Sequence, residues 1–80
     1  MKLIHTQDKA MMINVAIISH LFVAPLEDDS GQYVLNAELN NANCAGYELG
    51  EYRSENDAIK DMEKIAGFMT NSSSGIFRVD

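Results

Sequence analysis

Few side chains in this sequence are of types that do chemistry. The soft metal ligands are His5, His20 and Cys44. They lie far apart, without the paired spacing of a zinc site, and read as two strand histidines and a loop thiol. A nucleophilic Cys44 needs a histidine or a base beside it to lower its pKa. Its neighbours are Asn43 and Ala45, in an acidic stretch that pushes the other way. Glu27, Asp28 and Asp29 are contiguous carboxylates. Calcium loops spread their oxygen ligands over about a dozen residues with a glycine inside, so this triplet reads as a solvated turn. The glycines are scattered and form no phosphate cradle. Tyr33, Tyr47 and Tyr52 lack the Lys and Arg that accompany base-stacking sheets. The expectation is a protein that is not an enzyme, with no metal and no cofactor.

Charge is the stronger signal. The net charge is −6, and it is unevenly placed. From Leu26 to Tyr52 the acids are Glu27, Asp28, Asp29, Glu38, Glu48 and Glu51, with no Lys or Arg. Elsewhere Asp8, Glu55, Asp57, Asp61, Glu63 and Asp80 are balanced by Lys2, Lys9, Arg53, Lys60, Lys64 and Arg78. Such a field disfavours direct contact with a nucleic-acid backbone or an anionic membrane. The six central acids are therefore the candidate protein-binding residues. Their complement is a basic surface, such as that of a nucleic-acid-binding protein.

The elements that must position these residues fit one domain of 80 residues. A chain of this length buries roughly 60% of its unfolded surface, which leaves a marginal core. With one cysteine it has no internal disulfide to help, and a reducing, cytoplasmic setting suits it. The apolar run from Ala10 to Leu26 is broken by Asn14, Ser19 and His20 and is short for a membrane span. It reads as buried strand.

In order, Lys2 to Thr6 is a strand with Leu3 and His5 on one face and Ile4 on the other. Gln7-Asp8-Lys9 is a turn and Met11 to Val15 a return strand. Residues 14–19 fit a strand, a bulge or a short helix. His20 to Ala24 is strand, and Glu27 to Gly31 is a hairpin turn. Gln32 to Leu39 follows as strand, with Tyr33, Leu35 and Ala37 sharing one face. Asn40 to Gly46 is a loop. In the next strand Tyr47, Leu49 and Glu51 alternate against Glu48, Gly50 and Tyr52. Ser54 then caps a helix whose first turn carries Glu55 and Asp57. Its apolar stripe is Ala58, Met62, Ile65, Ala66 and Met69, with Ile59 at the margin. Residues 71–75 are a flexible link, and 76–79 a short closing strand or docked tail. The fold class is α+β: an antiparallel meander of four or five strands, one C-terminal-half helix packed on one face, and the closing strand. One helix covers one face, so the apolar groups between Met11 and Val23 predict a homo-oligomer.

Thr6-Gln7-Asp8-Lys9, Ile13-Asn14 and Leu49-Gly50-Glu51-Tyr52-Arg53-Ser54-Glu55 together resemble short proteins of Gram-positive bacteria and their phages. Those share a Ser/Thr-Gln-Asp-Lys opening and a Leu-Gly-x-Tyr-x-Ser-x-Glu step into a helix. Thr6 stands for the commoner Ser, Asn56-Asp57 alters the charged start of the helix, and residues 71–80 extend beyond the pattern. The resemblance implies a phage or mobile-element setting and brings no catalytic residues. With the acidity it suggests a small protein-binding protein, such as an inhibitor of a host defence nuclease that occludes a basic groove. The alternative from another class is a self-associating structural or accessory protein. A third, an enzyme or small-ligand binder, has no pocket residues to name.

Overall fold

The computed structural model describes residues 1–28, 30–40, 46–71 and 74–80. Asp29 and the loop residues 41–45, Cys44 among them, lie outside the described residues, as do Ser72 and Ser73 of the expected link. The chain is α+β, with an antiparallel meander, one helix in the C-terminal half and a closing strand. Its strands divide between two sheets. In the first, β1 (Lys2–His5) lies between β2 (Met12–Asn14) and β6 (Gly75–Arg78). The β1–β2 pairing is antiparallel and the β1–β6 pairing parallel. The second is the meander, β3 (Ile18–Pro25), β4 (Tyr33–Leu39) and β5 (Tyr47–Tyr52), on which α1 (Glu55–Asn71) packs.

The division begins at Asn14. Its side chain accepts from the Ala16 amide at 3.0 Å and caps one 3-10 turn, Val15–Ile17, so the ambiguous segment is a short helical turn. That local bond competes with the ladder and ends β2. The chain then re-enters as β3, in a different sheet.

Ile4, Ile13, Leu35, Ala37, Leu49, Ile65 and Val79 bring both sheets and the helix into one core. Val15, Leu21 and Val23 pack against it. Of the Met11 to Val23 run, Ile13 and Ile18 are buried and Val15, Leu21 and Val23 half-buried. Met11, Met12, Ile17 and Phe22 stay exposed. The expected closing strand is β6, and beyond it Val79 is fully buried.

Ser54 caps α1 as its position predicts: its Oγ accepts from the Asp57 amide at 3.1 Å. Ala58 and Ile65 are buried, and Met62 and Met69 are packed on the core. Ala66, expected on the stripe, is exposed. It lies about 80° around the helix from Ala58, at the edge of a narrow apolar face. Phe68 meets Phe77 of β6 at 5.8 Å between ring centroids, and the Lys2 ammonium donates to the Met69 carbonyl. Together these tie the end of the helix to the first sheet.

Candidate functional site: the outward face of the meander

Residues paired across a β-ladder share a sheet face. Leu21 and Val23 pair with Ala37 and Leu35, and these turn into the core. Their alternates point away: His20 beside Glu38, Phe22 beside Asn36, and Ala24 beside Val34. On the other side of β4, Asn36 pairs with Glu48 and Val34 with Glu51. Glu38, Glu48 and Glu51 therefore share one outward face with Phe22, which is 36% exposed.

Strict alternation puts Glu48 and Glu51 on opposite faces, since they are three residues apart. The structure corrects this. The register shifts between Leu35 and Asn36, which pair with Gly50 and Glu48 and leave Leu49 as the extra residue. Such a β-bulge lets Leu49 and Gly50 both turn inward, where each is buried, and so brings the two glutamates to the same side. Gly50 also has to be small. A Cβ there would stand 3.0 Å from Val79 Cγ1 and 3.3 Å from Gln7 Cβ.

Gln7 closes the outer edge of β5. Its amide donates to the Leu49 carbonyl at 2.8 Å. Its side chain accepts from the Glu51 amide at 2.8 Å and donates to the Glu51 carbonyl at 3.1 Å and the Asp80 carbonyl at 2.7 Å. The turn behind it is firm. The buried Thr6 hydroxyl donates to Asp8 Oδ1 at 2.7 Å, the Ala10 amide donates to the same oxygen at 3.0 Å, and Lys9 takes a left-handed φ of 65°. The donation from Ala10, then that from Thr6, holds the Asp8 carboxyl below its usual range.

Gln7, Asp8, Glu48, Leu49, Gly50 and Glu51 line a shallow pocket of about 300 Å³. Partial burial, then the charges of Glu51 and Asp8, push the Glu48 carboxyl up. Among the described residues no group of three His, Cys, Asp or Glu side chains is placed to hold a metal ion. Nor is any described helix long and apolar enough to cross a membrane.

The other predicted site residues lie elsewhere. Glu27 and Asp28 are at the exposed β3–β4 tip, where Ser30 donates to Asp28 and lowers its pKa. Asp29 beside them lies outside the described residues. Glu38 is at the far end of β4, with His20 Nε2 at 3.2 Å from its carboxylate. Sequence reasoning missed Asp8, Gln7, His20 and Phe22 as parts of this surface. Gly50 was the available signal, since a glycine inside a strand marks a bulge or a close backbone approach.

The result is a small α+β domain that presents an acidic sheet face. No family model, curated protein or solved structure matches this chain.

Proposed function

We propose that this chain is a non-enzymatic protein-binding protein whose outward meander face docks on a basic, nucleic-acid-binding surface of a partner and occludes it. One observation carries the reading: Glu38, Glu48 and Glu51 flank the exposed Phe22 on three strands that contain no Lys or Arg. Apolar area beside charge of one sign suits an anchor with electrostatic steering around it. In the phage or mobile-element setting that the motifs suggest, the partner is a host defence nuclease and the effect inhibition.

The test begins with copurification from the natural host, followed by competition between this protein and nucleic acid for the captured partner. Glu38→Lys/Glu48→Lys/Glu51→Lys should weaken binding strongly. Glu27→Lys/Asp28→Lys at the hairpin tip should matter less. Added salt should weaken the wild-type complex, since long-range attraction is screened beyond about 8 Å at physiological ionic strength. Affinity that survives both the triple reversal and high salt refutes the electrostatic mechanism.

A further inference from the structure

The two edges of the meander are treated differently. The β5 edge is closed by the backbone and side chain of Gln7. The opposite edge is β3, the longest strand of the structure, with 8 residues. Among the described residues no hydrogen bond reaches its outer side. A bare edge is a template for another strand, and proteins usually blunt it with lysine, proline, a bulge or a covering segment. In β3 the register shift falls between Ile18 and His20 and the proline is the last residue, Pro25. His20 to Ala24 between them is regular and open.

We propose that this edge pairs with the same edge of a second copy, antiparallel and two-fold about Phe22. The occupant is argued from charge and from self-complementarity. β3 contains no Asp, Glu, Lys or Arg, so it offers a charged partner strand nothing to pair with, in a chain whose net charge is −6. A two-fold at Phe22 sets Leu21 against Val23 of the second copy on the core side. On the outward side it sets His20 against Ala24 and Phe22 against Phe22. Directly opposed aromatic residues stabilise a strand pair. The acids stay apart, because Glu38 on β4, level with His20, lies three strand spacings across the sheet (about 14 Å) and four residues along it (about 13 Å) from its counterpart, well beyond the screening length of about 8 Å. Both acidic faces remain on the same side of the joined six-stranded sheet.

Sedimentation of the wild-type protein across the micromolar range should show a dimer, and a monomer throughout overturns the proposal. Register is tested by cysteine cross-linking in a Cys44→Ser background. Phe22→Cys places two thiols in directly opposed positions about 5 Å apart between Cα atoms, within disulfide reach. Ala24→Cys places them about 13 Å apart along the strands, out of reach. Rapid oxidation of the first variant to a covalent dimer and little of the second supports the register. Equal or faster cross-linking of the second overturns it. Phe22→Lys, checked for intact helical circular dichroism, should weaken dimerisation at least about tenfold, and an unchanged dimer overturns the proposal. If the variants fail to fold, wild-type hydrogen exchange decides. Protection of the His20 to Ala24 amides not bonded to β4 should rise with protein concentration, and protection independent of concentration overturns the proposal.

Discussion

Replacing Gln7 by alanine removes three hydrogen bonds at once, two to Glu51 and one to Asp80. A typical protein hydrogen bond contributes about 0.5–1.5 kcal/mol net. Water can reach this edge of the sheet, so the lower half of the summed range applies, about 2 kcal/mol in all. A small domain loses roughly 1 kcal/mol of stability per molar urea, so the midpoint of Gln7→Ala should fall by about 2 M with an unchanged slope. A fall below about 0.5 M would mean that water replaces the clasp at little cost and that Gln7 does not hold the edge.

Gln7→Glu sharpens the experiment. The introduced carboxylate can still accept from the Glu51 amide, but it turns an acceptor toward the Glu51 and Asp80 carbonyls where the native side chain donates. It also joins Asp8, Glu48 and Glu51 around one pocket. Its folded pKa is therefore raised above the unfolded value. A raised folded pKa stabilises the fold fully below the unfolded pKa and progressively less as pH rises through the folded one. Gln7→Glu should approach wild-type stability in mild acid and lose it toward neutrality. The same midpoint deficit at every pH would refute the assigned donor and acceptor roles.

Other variants test the frame around the site. Ser54→Ala should cost about 1 kcal/mol in a denaturant titration, the usual worth of an N-cap. Ile65→Ala, at a fully buried position, should cost roughly 2–5 kcal/mol, and the half-buried Met62→Ala less. Gly50→Ala should cost about 1–3 kcal/mol by overpacking against Val79 and Gln7, and a neutral result would mean that the bulge relaxes freely. The Tyr52 phenol donates to Asp61 at 2.7 Å, and burial, then that bond, raises its pKa above the ordinary tyrosine value. The tyrosinate absorbance lost in Tyr52→Phe should accordingly emerge only above pH of about 10. The stability Tyr52 contributes is full below that unfolded value and falls as pH rises through the folded one.

The local chemistry of this fold was legible in the sequence. Ser54 announces the helix start, Glu27 to Gly31 the hairpin, and the alternation of Tyr33, Leu35 and Ala37 the inward face of β4. The division into two sheets was not, because it turns on one competition between the Asn14 side chain and a ladder bond. Nor was the shared face of Glu48 and Glu51, because a bulge resets a period of two, and Gly50 signals a bulge or close approach without fixing Leu49 as the extra residue. Phe22 was counted with the apolar run rather than with the acids. Its place beside Asn36 and two strands from Glu48 is a matter of register, and register is set by the whole sheet.

Two of the motifs singled out in the sequence take on a physical meaning once the strands are assembled. Thr6-Gln7-Asp8 and Leu49-Gly50-Glu51 are far apart in the chain, and they meet at the β5 edge. Thr6 and Asp8 lock the turn, Gln7 pairs with Glu51 as a neighbouring strand would, and Gly50 leaves room for Gln7 and Val79 to approach. Tyr52 and Ser54 then secure the helix through Asp61 and the first-turn amide. Each of these residues has a role in folding, Glu51 through its backbone. What the frame leaves unspent is the Phe22 edge strand and the glutamates brought together by the bulge. The proposed contacts rest on these side chains and backbone groups, which the fold does not use for itself.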